Sequence, residues 1–452
     1  MTRAGSARAK PGQGGGTFAA IVAWALLAYM TVSPELLIFN NDSSDPYASN
    51  WASRGLKLVF LLFGVALCLS RFGPFKNLLI RTNRFFVFFL ILAPLSYLWS
   101  ISPSDTLARY VTVLSVATVC MAFCLYGWQR ERFQSILRSY LAVMLVGSLL
   151  FGLLSPDVGI EHGQGTLKDA WRGLTVQKNQ FGQLAGFGVV FWLHGWLAHE
   201  VKAWKMLIFG GAAVTCVVLS HSSASLLSAT FSAIFLVMLM RSPPQLRRYM
   251  PYIVGAFAGL VLVYALAVLR LVPGLDIVLR PITLLTGKDA TFSNRSVIWE
   301  IIEEHIRENP FFGTGYGAYW IGPVPASPSF SFLSRMGFYP FESHNGYLEI
   351  INDLGTIGLL CLFGYIITFV HSSVRLMRTD RYQGALFLGL FFFQAVMNLS
   401  ESSWLTVNSA FIFTIMTFAT FALAQGAVQP RAQPAPARPT ARSALRRRPM
   451  IR

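Results

Sequence analysis

The side chains in this sequence that could do chemistry gather in two stretches. The first is Trp171-Arg172-Gly173-Leu174-Thr175-Val176-Gln177-Lys178-Asn179-Gln180, with two cations six residues apart. The second runs from 271 to 352 and holds Ser293-Asn294-Arg295-Ser296-Val297-Ile298-Trp299 and Ser343-His344-Asn345-Gly346-Tyr347-Leu348. An arginine presents a planar fork that can grip a phosphate through two parallel hydrogen bonds, so Arg295 is a candidate anion clamp. It could equally pair with a loop acid or meet lipid headgroups. Arg172 and Lys178 could neutralise a phosphate or simply flank a helix end. His344 titrates near neutral pH and is a candidate general base, with Glu342 placed to orient it. The plainer reading is a histidine hydrogen-bonded at the start of the next helix. His162, His194, His199, His221 and His371 fall in spans, at span ends or in loops with no obvious partner.

Other chemistries find no support in the spacing. Nothing resembles HExxH, DxD or another metal pattern, so no metal or cofactor is expected. All five cysteines (Cys68, Cys120, Cys124, Cys216, Cys361) lie inside apolar runs, which excludes a disulfide framework in the loops. Gly313-Thr314-Gly315-Tyr316-Gly317 has the glycines of a phosphate loop. It lacks a preceding strand and a Gly-Lys-Ser/Thr ending, and is expected to be a flexible turn.

The elements that must position these residues are membrane helices. Hydrophobic residues make up 54% of the 452 and charged ones only 13%, about half the charge of a soluble domain. The apolar residues come in twelve runs: 17–39, 56–69, 85–99, 107–128, 136–154, 181–197, 206–219, 226–240, 252–269, 354–374, 385–399 and 405–424. Some are short enough to imply tilt or thinning. The expected layout is a basic arm over 1–16 and nine spans over 17–270. A large loop over 271–352 follows, then three spans over 353–424 and a basic, Pro- and Ala-rich disordered tail over 425–452.

Charge sorts the loops. A net charge of +17 would suggest nucleic acid in a soluble protein, but here its placement indicates topology, and no nucleic-acid partner is expected. Taken alternately, the arm, 71–84, 129–138, 198–205, 241–249, 375–381 and the tail carry 25 of the 37 basic residues and three of the 20 acids. Cytoplasmic loops carry that excess. Both termini are therefore expected inside and the 271–352 loop outside. Within that loop, Ser293 or Asn294 can cap a helix from Arg295 to Glu308, ended by Asn309-Pro310. Ile298, Ile301, Ile302 and His305 share one face, so this helix could lie along the membrane surface. Its N-terminus would add partial positive charge beside Arg295.

The motifs together resemble the O-antigen ligase and polymerase superfamily. They are Arg172-Gly173-x4-Lys178-Asn179-x-Phe181-Gly182, Asn294-Arg295-x2-Ile298-Trp299, Asn309-Pro310-x2-Gly313-x-Gly315 and Ser343-His344-Asn345-x2-Leu348-x5-Leu354-Gly355-x2-Gly358. The likeness spans roughly 165–365 and is nearest the exopolysaccharide polymerase branch; the ligase branch shares the core. It implies an all-α polytopic glycosyltransferase of the C type in the bacterial inner membrane, inverting and metal-independent. The donor it implies is a glycan on undecaprenyl diphosphate at the periplasmic face, and the acceptor a growing glycan or lipid A-core. Membrane lipids and other polysaccharide export proteins are candidate partners. By this resemblance Arg172 and Arg295 hold the donor diphosphate, with Lys178 nearby, and His344 activates the acceptor hydroxyl. The Ser220–Ser225 tip departs from versions that carry an arginine there, and no role is assigned to it. A ligase moving finished glycan to lipid A-core is the alternative within the class. A polysaccharide or lipid-linked sugar transporter is the rival from another. A transporter should place ionisable residues at midplane, whereas the cations here sit at the outward edge.

Overall fold

The structure is a computed structural model that describes residues 13–33, 36, 51–126, 129–163, 168–268, 295–325 and 327–426. Most of the basic arm, the Ser293-Asn294 cap, the 271–294 part of the large loop and most of the tail lie outside the described residues. Each of the twelve apolar runs overlaps a helix. In chain order these are α1 (Gln13–Thr31), α2 (Trp51–Leu69), α3 (Phe72–Arg81), α4 (Arg84–Leu95), α5 (Pro103–Tyr126) and α6 (Arg130–Leu154). They continue with α7 (Lys178–Leu197), α8 (Ala203–Leu219), α9 (Ser223–Arg241) and α10 (Met250–Val268). The last four are α11 (Arg295–Glu308), α12 (Gly346–Thr379), α13 (Arg381–Met397) and α14 (Ala410–Gly426). A two-stranded antiparallel hairpin, β1 (Ile160–His162) and β2 (Lys168–Trp171), interrupts them between α6 and α7.

Among the described residues, four helices are long and apolar enough to cross a membrane: Pro103–Tyr126, Arg132–Leu154, Ser223–Arg241 and Gly346–Thr379. A fifth crossing is possible if Ser53–Leu69 and Phe72–Arg81, bent by 102°, count as one broken span. The other apolar helices are shorter or more polar. The result is an all-α, multi-pass membrane protein. Its lipid-facing surface shows in exposed side chains such as Leu226, Leu227 and Ile234 on α9 and Leu360 and Ile367 on α12. In water such a surface would be an aggregation hazard.

At the centre stands α13, whose sequence from Gln383 to Met397 is apolar nearly all round and buried throughout. It packs on α9, α12 and α7, and α7 in turn meets α8, α9 and α6. Phenylalanines fill these contacts: Phe393 lies 4.6 Å from Phe187, and Phe392 lies 4.0 Å from Phe235. Two of the candidate stretches therefore start on buried helices. Lys178 begins α7, and α12 begins two residues after His344.

The large loop differs from expectation in two ways. Helix α11 has the bounds expected of it, but its apolar face does not meet the membrane. Ile298, Trp299, Ile301 and Ile302 are buried, α11 packs on α12, and Trp299 Nε1 donates to the Ser343 carbonyl at 3.0 Å. The fold offers this face a protein partner, so it has no need of lipid. Second, the glycine-rich 313–317 segment is no flexible turn. Helix α12 starts at Gly346, earlier than expected, and breaks at Gly355 (φ 64°, ψ −164°). The break frees backbone groups on both sides, and the loop satisfies them. Thr314 and Gly315 N–H donate to the Asn352 and Asp353 carbonyls at 3.0 and 2.9 Å, and Thr356 N–H donates to Pro310 at 2.9 Å. Gly317 N–H adds a bond to Asp353 Oδ2 at 2.8 Å. Gly313, Gly315 and Gly317 all have positive φ, and an added Cβ at Gly313 would strike the backbone of Asn352 and Asp353. Their glycines serve close backbone packing rather than mobility.

Candidate active site

Glu401 is the centre of the site, and it lies in the short Ser-rich link between α13 and α14. Its Oε1 accepts from Arg295 Nη2 and from Asn179 Nδ2, both at 2.9 Å. Its Oε2 lies 3.7 Å from His344 Nδ1, which is also 3.3 Å from Glu342 Oε1. Lys178 is buried within electrostatic reach of Glu401, Arg295 and Glu161, and its own N–H donates to Glu161 Oε1 at 2.7 Å. Three of the four residues expected from sequence thus come together: Lys178, Arg295 and His344. The bonds described for the fourth run elsewhere. Arg172 donates from Nε to the Val158 carbonyl at 2.6 Å and from Nη1 to Val176 at 3.3 Å, closing the loop beside the hairpin.

The local sequence explains how His344 is held. Asn345 caps α12 by accepting from Tyr347 and Leu348 N–H at 3.0 and 3.1 Å. The cap needs an extended residue before the first turn, and the chain reaches it through His344 at φ 50°, with Phe341 at φ 57°. Left-handed backbone at two non-glycine residues is strained and persists where surroundings impose it. The surroundings here are a stitched pair of loops. Ser343 Oγ meets Ser402 Oγ at 2.9 Å, Asn345 N–H donates to Ser402 Oγ at 3.2 Å, and Gly346 N–H donates to the Asn398 carbonyl at 3.1 Å. Asn398 Oδ1 then accepts from Ser403 and Trp404 N–H, both at 2.8 Å. A Cβ at Gly346 would overlap Asn398 Oδ1, so this approach requires glycine. The stitching brings Glu401 to His344.

The electrostatics follow from burial and opposite charge. Burial alone would raise Glu401, but the His344 ring and the Arg295 guanidinium outweigh it and hold this carboxyl below its ordinary range. Glu342 lacks that support. Burial pushes it up to about 8, against the pull of His344 and with the Glu401 and Glu349 charges adding to the rise. Burial would lower His344, yet the Glu342 and Glu401 carboxylates overcome it and raise the imidazole above its usual value. Near neutral pH the two raised groups, Glu342 and His344, face an ionised Glu401. Nδ1 is the ring atom turned toward both carboxylates. A proton held there leaves Nε2 as the basic nitrogen, the arrangement of an oriented general base.

Glu342, His344 and Glu401 also offer one ligand atom each within 4.8 Å of one another, a set that could hold a metal ion. Sequence spacing misses this set because Glu401 comes from beyond α13. Its chemistry suits a cation poorly: one Glu401 oxygen is already bound to Arg295, whose positive charge would sit beside the ion.

Behind this cluster lies a second buried one. Glu349 accepts from Asn408 Nδ2 (3.0 Å), Trp320 Nε1 (3.2 Å) and Ser343 N–H (2.9 Å). Arg109 donates to Asn408 Oδ1 and to the Trp320 carbonyl at 2.9 and 2.7 Å. Neither Glu401 nor this network was among the expected site residues. The available signal was a single acid between two apolar runs, in Leu399-Ser400-Glu401-Ser402-Ser403. A lone acid there needs a partner.

A multi-pass helical membrane protein with a buried arginine–glutamate–histidine centre at the ends of its central helices is the class these observations define. Residues 206–363 match the family described as O-Antigen ligase, a segment that contains Arg295 and His344. The chain is also 29% identical over 308 residues to the exopolysaccharide production protein ExoQ of Rhizobium meliloti. That match covers 65% of this chain and 66% of the relative, just under two thirds of the relative's length. Over these segments the chain is similar to the O-antigen ligase and polymerase superfamily.

Proposed function

We propose that this protein is an inner-membrane glycosyltransferase. In this reading it takes glycan from undecaprenyl diphosphate on the periplasmic face and polymerises exopolysaccharide or O-antigen repeats. The observation that carries the reading is the convergence of Arg295, Lys178 and His344 on Glu401 from three distant segments. Arg295 engages Glu401 through one corner of its guanidinium, which leaves the planar fork geometry for a diphosphate oxygen pair. The relative's name, an exopolysaccharide production protein, favours polymerisation over ligation.

The reaction needs no redox step. The acceptor hydroxyl oxygen bonds to the anomeric carbon as the bond from that carbon to the diphosphate oxygen breaks. Its electron pair leaves on the diphosphate. The hydroxyl proton passes to His344 Nε2 while Glu401 and Glu342 steady the Nδ1 edge. Arg295 and Lys178 offset charge gathering on the leaving group, the kind of prearranged electrostatic help that is worth most in a buried site. Displacement in line inverts the anomeric centre. The Glu342–His344–Glu401 set acts as an oriented base here, not as metal ligands, so transfer should persist in excess chelator. Loss of activity restored by a divalent ion would reject that assignment.

The deciding experiment is the envelope glycan profile of a strain lacking the gene, paired with transfer by the purified protein on lipid-diphosphate-linked repeats. A polymerase defect leaves at most single repeats. Bare core with polymer accumulating on the carrier would point to a ligase instead. The periplasmic site has its own check in thiol labelling. A cysteine at the exposed Ser334 should react with an impermeant reagent added outside, and one at the exposed Gln245 should not.

A further inference from the structure

A cavity of about 690 Å³ runs between α10 and α12, away from the candidate active site for most of its length. Its walls are apolar: Gly255, Ala258 and Gly259 from α10 face Phe363, Val370 and Val374 from α12. Helix α10 is held to the bundle through Phe257, whose ring lies 4.7 Å from Phe392 and 4.9 Å from Phe235. Beside that contact the wall stays open, and a Cβ added at Gly255 or Gly259 meets nothing within 4 Å. A cavity this size is in the range that takes a drug-sized or single-chain ligand.

One end of the groove is cationic. His371, Arg375 and Arg378 line it and are exposed, and none of the acids among the described residues forms a salt bridge with either arginine. They are not scattered around the helix. Residues 363, 367, 370, 371, 374, 375 and 378 follow the three- and four-residue spacing of one helical stripe, so the cations continue the apolar face. From His371 to Arg378 is roughly 10 Å along the axis. An apolar slot that ends in two arginines on the same stripe matches a molecule with a hydrocarbon chain and an anionic head.

We propose that this groove is a binding site for an anionic glycerophospholipid. One acyl chain would lie between α10 and α12, and the phosphate would sit at Arg375 and Arg378, at the membrane surface opposite the candidate active site. The isoprenoid tail of a lipid-linked donor is a poorer fit, because hydrocarbon at this end gives the arginines no partner. The proposal does not depend on glycosyl transfer and survives the failure of that reading.

The test uses the full chain in detergent micelles and a phosphatidylglycerol with a photoreactive acyl chain, competed by unlabelled lipids. Crosslinks should map to 250–262 and 363–378, with phosphatidylglycerol displacing the probe far better than phosphatidylcholine. A surface arginine is worth about fivefold in affinity for anionic lipid, about 1 kcal/mol each. Arg375→Gln with Arg378→Gln should therefore weaken binding about 25-fold. Gly259→Phe should weaken it as well by filling the slot, while elution on gel filtration stays that of the native protein. Equal competition by phosphatidylcholine, or full binding by the double glutamine variant, would overturn the proposal. So would undecaprenyl phosphate displacing the probe as well as phosphatidylglycerol does.

Discussion

The two buried charge clusters lie back to back on α12 and its leading loop, yet they are solved differently. Glu349 is surrounded by donors that carry no charge: an amide, an indole N–H and a backbone N–H. Arg109, which binds the same Asn408 and Trp320, is likewise spent on an amide and a carbonyl. Glu401 instead is held at 2.9 Å by the Arg295 guanidinium and the Asn179 amide on one oxygen, while the other lies 3.7 Å from the His344 imidazole, itself 3.3 Å from Glu342. Its Nδ1 is buried without a hydrogen-bond partner. A buried charge met by neutral donors has nothing further to exchange and fixes geometry. A buried charge bonded on one oxygen and met only loosely by a titrating ring on the other keeps something to trade with a ligand. The first cluster braces; the second is poised to react.

Substitution should separate them, and the largest effect belongs to His344. His344→Ala should lower single-turnover transfer by about 10²–10⁴, the usual worth of general-base help, while donor-lipid binding stays near normal. Abolished donor binding with intact acceptor chemistry would make the histidine a phosphate ligand. Arg295→Lys keeps charge and loses the fork, so transfer should fall by roughly 10², with donor binding weakened too. Equal activity in the lysine variant would reduce Arg295 to a point charge paired with Glu401.

Glu349→Gln should act on stability instead. Every partner of Glu349 is a donor, and a glutamine must turn its own NH₂ toward at least one of them. The cost is about 1–3 kcal/mol of stability, read as a lower unfolding midpoint in detergent.

The smallest effect is a shift along the pH axis. A base must be neutral to accept a proton, and His344 is raised, so turnover should fall as pH drops through a value above that of ordinary histidine. Glu401→Gln removes one of the charges that raise it, and the acid limb should move to lower pH. Glu342 gives a stability counterpart. Its folded value is raised to about 8, so its contribution is fully present below the ordinary glutamate value and fades as pH rises through about 8. Glu342→Gln should flatten that alkaline decline.

Much of this was legible from sequence, for physical reasons that differ residue by residue. Arg295–Glu308 could be bounded because Asn309-Pro310 stops a helix locally. Arg295 stood out as a cation in the first turn of an expected helix, and His344 as a ring that titrates near neutral pH. Glu401 did not, because its meaning depends on a stitch between the 343–346 and 398–404 loops that no local pattern announces. The 313–317 segment was misjudged for a related reason. Its glycines fit carbonyls that exist only because α12 breaks at Gly355, and a break in a helix is visible in sequence only as one more glycine. The membrane-facing role expected of α11 failed because amphipathic spacing shows that a face must be covered, not by what.

The break at Gly355 can also be used as a depth gauge. Carbonyls released at a kink cannot face hydrocarbon, and here the 313–317 loop covers them within the protein. From Gly355 to Arg375 is twenty residues of helix, about 30 Å, which is one hydrocarbon thickness. The kink and the arginine therefore stand one hydrocarbon thickness apart on a single helix. In the proposed transfer, the part of α12 before the kink, with Tyr347, Glu349 and Asp353, would be the end at which sugar and diphosphate come and go.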